Sequence, residues 1–269
     1  MLFKNAQRQA EFDRNGYVIS RVLSPETVER LLAFYAETVA DDEMVDLYES
    51  SRFNTLEKNA YINDRLRDEL APAAAEIFTD FELFGGTFMV KVPQTSTVLP
   101  LHQDWTVVDE GRFLSVFIWC ALVEVGPENG GLFVLPGSHA YFSNLRSGSM
   151  PSLRIDPSGQ LGELLVDIRL EPGEAIMYSD RLFHGSYANV RHEPRVIATG
   201  RVNQRGAELL YYHLREDGVV EVLEASPEFY LKEIAHLAHG RVPPGYSVRD
   251  RIDYEHRPIT EADLLAQIP

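Results

Sequence analysis

The hydrophobic pattern changes character along the chain. Residues 24–39, SPETVERLLAFYAETV, put Val28, Leu31, Leu32, Tyr35 and Val39 on one stripe of a 3.6-residue period. Ser24 stands where an N-cap would, Pro25 takes the first helical position, and Glu26 suits the positive end of the dipole. From Asp41 to Asn63 the run is acidic and irregular, and neither period persists, so a mobile cover or a surface loop is expected there. Residues 65–79 are helix-prone but contain Pro72, which predicts a break.

From about residue 82 the period shortens. FELFGGTFMVKV, FLSVFIWCALVEV, GLFVLPGSH, LLVDIRL, GEAIMYSD, RVIATGRV and ELLYYHL are short β-branched and aromatic runs separated by Gly, Pro and Asn. That pattern predicts an antiparallel sandwich or barrel. The run at 113–125 is apolar on both parities, so it should be covered by the opposite sheet on one side and by helices on the other. A helix opened by Ser226-Pro227 and closed near Gly240 follows, and Thr260 to Asp263 reads as a capping box with Asp in place of Glu. The chain, 1–269, is therefore read as one domain: N-terminal helices with a candidate lid over 1–80, a β core over 82–213, and a helical C-terminal extension over 214–269.

Composition narrows the partners. With 269 residues and 45% apolar content the chain can bury a sizeable core. A formal charge of −16 opposes binding to nucleic acid or to anionic membrane, and no run reaches the roughly 18 apolar residues that a spanning helix needs. The start, MLFKNAQRQAEF, lacks an apolar signal core, and the single cysteine, Cys120, lies in an apolar run as a buried, inert thiol. A cytoplasmic protein acting on a small molecule is the resulting expectation.

The candidate chemistry begins at PLHQDW, residues 100–105, where His102 and Asp104 are two positions apart. With eight His and 41 acids, such a pair arises about once by chance, so its meaning depends on a third ligand. His184 supplies one: a turn at Pro172-Gly173 launches a strand toward the same end of the sheet, where GEAIMYSDRLFHGS ends. Two His and one carboxylate on one face of a metal leave coordination positions open, as non-haem Fe(II) oxygenases require. Structural zinc would want four protein ligands, usually with thiolates, and the helical His-Glu-x-x-His motif of hydrolytic zinc is absent. Arg195, eleven positions beyond His184, can face the same cavity across a hairpin and hold a carboxylate bidentately.

These stretches resemble the phytanoyl-CoA dioxygenase family of Fe(II)/2-oxoglutarate oxygenases. The likeness runs through FDRNGYVISRVLSPETVERL, HQD at 102–104, GPENGGLFVLPGSH at 126–139, EPGEAIMYSDRLFHGSYAN at 171–189, and Arg195. It implies a mainly β fold with flanking helices, a double-stranded β-helix (jelly roll, cupin-like), over 82–213. It further implies iron held by His102, Asp104 and His184, with 2-oxoglutarate anchored by Arg195. Ser186, Lys91 and Trp119 occupy positions that line the cofactor pocket in that family, while His139 would fix the PGSH turn rather than ligate iron. Halogenating relatives lose the carboxylate that Asp104 supplies here, so O2-dependent oxidation of a C–H bond, by hydroxylation, desaturation or ring closure, is the implied reaction.

Residues 203–269 match nothing in the family, which leaves substrate identity and homo-oligomer assembly open. The acid-rich 41–46 stretch and the loop 140–160 are expected over the site, with Arg52, Arg146 or Asp109 touching substrate. The net charge favours a small secondary-metabolite intermediate over an acyl-CoA or lipid. Two rivals are a metal-dependent hydrolase or isomerase on a β-sandwich and a non-catalytic binding module.

Overall fold

The computed structural model describes residues 1–40, 42–151 and 153–267. In chain order the N-terminal part contains α1 (Ala6–Asn15), β1 (Tyr17–Arg21), α2 (Pro25–Thr38), β2 (Leu47–Glu49), α3 (Ser50–Phe53) and α4 (Leu56–Ile77). The β-rich part follows: β3 (Phe81–Phe84), β4 (Phe88–Lys91), β5 (Leu99–His102), β6 (Ser115–Ala121), β7 (Leu132–Val134), a short helix α5 (Gly159–Glu163), β8 (Val166–Asp167), β9 (Glu174–Ser179), β10 (His184–Ser186) and β11 (Arg195–Gln204). β12 (Leu210–Leu214), β13 (Val219–Glu224), α6 (Pro227–Leu237), β14 (Val248–Asp253) and α7 (Glu261–Gln267) complete the chain.

Two antiparallel sheets face each other as a jelly roll. The major sheet runs β1-β9-β6-β11-β4-β2, with β3 also on β11; the minor sheet runs β5-β10-β7-β8. β6 carries the two-sided burial expected of its sequence. Val116, Ile118 and Cys120 pack with Leu31, Phe34, Leu66 and Leu70 under the helices, while Trp119 and Ala121 pack with Leu132 and Val134 of the opposite sheet. Burial pushes the Cys120 thiol up, as an inert core thiol requires. The outer face of the minor sheet is closed by α5 and α7 through Phe133, Leu161, Phe183 and Leu264.

Three expectations are revised. First, the helix through Pro72 does not break: α4 is continuous from Leu56 to Ile77. Pro72 is exposed and so is Asp68, the residue whose carbonyl loses its partner, so water can satisfy that group. Ile62, Leu66, Leu70, Ala74 and Ile77 meanwhile keep one buried stripe across the proline. Second, the irregular run 41–63 is ordered by polar side chains rather than by hydrophobic period. Lys58 reaches Asp42 at 2.6 Å, the Tyr48 hydroxyl donates to Asp42, Thr55 caps α4, and Leu47–Glu49 joins the major sheet beside β4. Asp41 itself lies outside the described residues.

Third, the extension over 214–269 is only partly helical: β13 and β14 join β12 in a third, three-stranded antiparallel sheet. Alternation in EDGVVEVLE buries Val220 and Val222 on one face, a period of two that belongs to a strand. The two helical signals in this region do hold. Ser226 caps α6 through the Phe229 N–H at 3.1 Å, and Thr260 and Asp263 exchange a reciprocal pair of bonds at the start of α7.

Truncation of Leu66, fully buried between α4 and the major sheet, should cost about 2–5 kcal/mol in Leu66→Ala, measured by chemical or thermal unfolding. A cost below 1 kcal/mol would mean that the helical layer is not part of the core.

Candidate active site

His102 ends β5 and His184 opens β10, and the antiparallel register sets the two directly opposite each other. Their rings lie 4.4 Å apart between centroids. Each Nδ1 sits 2.9 Å from a backbone carbonyl, Pro100 for His102 and Leu182 for His184. A carbonyl only accepts, so each Nδ1 carries the proton and each Nε2 keeps its lone pair. Burial, reinforced by His184, pushes His102 down to about 4, so it is a neutral imidazole at neutral pH.

Asp104 completes the group, its Oδ1 lying 3.9 Å from His184 Nε2. One candidate ligand atom from each of His102, Asp104 and His184 lies within 4.8 Å of the other two. Burial works against ionisation of Asp104, but His184, Arg201 and His102 outweigh it and hold the carboxyl below its ordinary value. Its Oδ2 is buried without a protein partner. Two imidazole lone pairs and a carboxylate with a spare oxygen fit one divalent cation. Asp104 lies beyond the strand, because β5 stops at His102, so strict alternation does not extend to its neighbours. Gln103 donates to the Arg181 carbonyl at 2.6 Å, Trp105 packs edge-on against Tyr211, and both line the same cavity as the triad. Arg146 fixes this irregular loop by donating from Nε to the Asp104 carbonyl at 2.6 Å and pairing with Glu110.

Deeper between the sheets, β11 pairs with β4 so that Arg195 is opposite Lys91. Arg195 is 1% exposed, its guanidinium lies 4.8 Å from the Trp119 ring centroid, and it donates to the Gly130 carbonyl. Its Nε has no partner, and burial pushes it down to about 9. Lys91 is 0% exposed and bridges the sheets by donating to Ser186 Oγ at 2.9 Å and to the Tyr187 carbonyl. Burial first, and Arg195 second, lower its ammonium to about 7. Gly130 makes this crossing possible: it adopts φ +84°, and a Cβ there would come within 2.5 Å of Lys91 Cδ. Two buried cations, neither in an ion pair with a carboxylate among the described residues, make a site for an acidic ligand.

The triad, Trp119, Ser186 and Arg195 line one cavity of 490 Å³. Lys91 does not line it and acts from behind Ser186. Arg52, Arg146 and parts of the loop 140–160 line its mouth; Ser152, within that loop, lies outside the described residues. Asp109 does not line the cavity, because it closes a turn, accepting the Gly111 N–H at 3.1 Å. The acidic stretch before β2 does not line it either; Leu47 and Glu49 do. His139 stands apart from the triad, packed on Phe12 and against Gly16, where it holds α1 to the turn after β7.

Arg201, Tyr178 and Glu49 also line this cavity, and sequence reasoning missed them. Arg201 had a legible signal: it shares strand parity with Arg195, and Thr199 of the same parity lines the cavity between them. It pairs with the buried Asp180, which burial raises to about 6 despite Arg201, and lies 4.9 Å from the Phe117 ring centroid.

The family model for phytanoyl-CoA dioxygenase (PhyH) matches residues 12–197. No curated protein matches the chain. Among solved structures, the epimerase SnoN in complex with Fe3+, alpha ketoglutarate and nogalamycin RO is 20% identical, with 96% of each chain covered and a TM-score of 0.58. EvdO2 from Micromonospora carbonacea var. aurantiaca, complexed with 2-oxoglutarate, is 21% identical over 74% of this chain and 91% of its own, TM-score 0.51. EctD from S. alaskensis, with 2-oxoglutarate and 5-hydroxyectoine, is 22% identical over 77% and 78%, TM-score 0.52. At these identities the likeness establishes the shared fold.

The lowered Lys91 ammonium gives a pH signature. The unfolded chain holds the Lys91 proton up to about 10.5 and the folded chain only to about 7, so the unfolded state binds more protons between these values. The Lys91 contribution to stability therefore rises with pH across that window, and the cost of the buried charge is largest below it. In ligand-free buffer Lys91→Met should unfold at a higher temperature than the parent at pH 7, and the difference should shrink toward pH 10. A constant difference would mean that the ammonium is not strained.

Proposed function

The chain belongs to the phytanoyl-CoA dioxygenase family, and from that premise we propose that it is an Fe(II)- and 2-oxoglutarate-dependent dioxygenase oxidising a C–H bond of a small molecule. In the hydroxylating form R–H, 2-oxoglutarate and O2 become R–OH, succinate and CO2. In desaturation or ring closure the substrate loses two hydrogens and water replaces the hydroxyl product. Iron and its bound co-substrates supply the oxidising chemistry.

The residues divide the remaining tasks. His102 and His184 present Nε2 to the metal because their Nδ1 atoms are committed to carbonyls, and Asp104 supplies the anionic ligand. Arg195 holds the far carboxylate of 2-oxoglutarate, Trp119 forms the floor under the guanidinium, and Ser186, backed by Lys91, offers a hydroxyl to the same anion. The observation that carries this reading is the buried Arg195–Lys91 cation pair in one cavity system with the triad. A dicarboxylic co-substrate chelating the metal at one end would neutralise these desolvated basic groups at the other; a hydrolase with a carboxylate substrate would use Arg195 as well, but would turn over without O2 or 2-oxoglutarate. The whole chain, 1–269, is read as one oxygenase unit working in the cytoplasm. A natural-product intermediate is the preferred substrate type, in keeping with the net charge of −16, which disfavours a polyanionic CoA thioester.

Anaerobic addition of Fe(II) and 2-oxoglutarate should produce a weak visible charge-transfer band that is lost in His184→Ala; absence of the band in the intact protein would sink the proposal. Arg195→Ala should raise the 2-oxoglutarate concentration needed for the band by roughly tenfold or more, the loss of about 1.5–3 kcal/mol expected for a charged hydrogen bond, and leave the iron requirement nearly unchanged. Equal loss of both would assign Arg195 a structural role.

A further inference from the structure

α6 has two apolar faces. Phe229 and Leu237 are buried against Tyr211 and Leu223 of the third sheet. The other face, Pro227, Tyr230, Leu231, Ile234 and Ala238, follows helical spacing and lines the cavity above the triad. An apolar helix stripe left half-exposed along a cavity is surface that a ligand can cover. This wall lies wholly outside residues 12–197, the part that the family model matches.

The wall is held rigidly. A Cβ on Gly148 would fall 1.8 Å from the Leu237 carbonyl oxygen, so the loop bordering the cavity can meet the end of α6 only through a glycine. Tyr211 donates to the same carbonyl at 3.2 Å, and Tyr230 is anchored by donating to the Leu210 carbonyl. Leu47, Phe84 and Met89 add further apolar lining to the same cavity.

Of the five arginines among the described residues that line the cavity, Arg195 is assigned to the co-substrate and Arg154 lies near His102; the other three are paired with carboxylates. Arg52 pairs with Glu49 at 2.6 Å, Arg146 with Glu110, and Arg201 with Asp180. These three guanidiniums are already balanced by carboxylates and offer no net attraction to an anion.

We propose that α6 is the specificity wall of this enzyme and that the substrate is an uncharged, predominantly apolar small molecule seated against α6 and the apolar lining of Leu47, Phe84 and Met89. The inference rests on the oxygenase reading for the identity of the chemistry, but not for the existence of the wall.

Two isosteric fluorescent probes test it on the full chain with Fe(II) and 2-oxoglutarate under anaerobic conditions: neutral anilinonaphthalene sulfonamide and anionic anilinonaphthalene sulfonate. The sulfonamide should bind more tightly. Ile234→Glu, which puts a charge on the wall, and Leu231→Trp, which fills the space, should each weaken it by about tenfold or more while the charge-transfer band persists as the measure of an intact core. Tighter binding of the sulfonate, no binding of either probe, or sulfonamide binding unchanged in both variants would overturn the proposal. Failure of the band in the intact protein would remove the oxygenase reading, and the probe result would still decide the wall.

Discussion

The site depends on one backbone register. His184 stands opposite His102 because β10 lies antiparallel to β5, and a slip of one residue would turn one imidazole out of the site. β10 is held on its other side by β7, through His184 against Val134 and Ser186 against Leu132. Strand pairing on both sides therefore places the two nitrogens before any metal arrives, and the carbonyls of Pro100 and Leu182 then settle which nitrogen faces it. Asp104 lacks this support, since it follows the end of β5. The Arg146 guanidinium, held by Glu110 and bonded to the Asp104 carbonyl, replaces the missing ladder. A well-placed ligand set thus rests on two different kinds of support, one from the sheet and one from an ion pair.

The second structural constraint is electrostatic. Lys91 and Arg195 are neighbours across β4 and β11, and both are nearly or fully shielded from water. Burial first, and the neighbouring guanidinium second, penalise the Lys91 ammonium, which is why it falls so far below its ordinary range. An anion placed between the sheets would relieve the same penalty. The route of the lysine stem between the sheets is kept open by Gly130, the one residue type that leaves room for it.

What could be read from the amino-acid sequence follows from how local the governing physics is. The α2 cap and stripe, the Thr260–Asp263 box and the two-sided burial of β6 depend on neighbours a few residues apart or on simple parity, and each appears in the fold. That His102, Asp104, His184 and Arg195 meet at one cavity was legible because their residue types and spacing have few alternative uses in combination. Pro72 misled because a proline on the solvent side of a long helix loses little when the buried stripe continues beneath it. The order in 42–63 was invisible because it comes from Asp42, Tyr48, Lys58 and Asn54, whose bonds to one another have no periodic signature. Arg201 was readable in principle from its parity with Arg195, but parity alone does not distinguish a cavity arginine from one exposed on a sheet face.

The C-terminal region shows why the rest stayed hidden. Its helix α6 carries apolar residues around most of its girth, and a sequence pattern of that kind says that the helix is covered without saying by what. The third sheet accounts for Phe229 and Leu237 and for part of Tyr230. The remaining stripe faces the cavity, so a part of the molecule outside the family-matched region contributes to the same cavity as the triad. The metal and co-substrate machinery demands a few residue types in fixed places and leaves a recognisable trace in sequence. A substrate wall demands only shape and apolarity, which many sequences supply equally well. Residues of the family-matched region, 12–197, and of α6 beyond it meet at one cavity, and α6 takes no part in the strand register that sets His102 opposite His184.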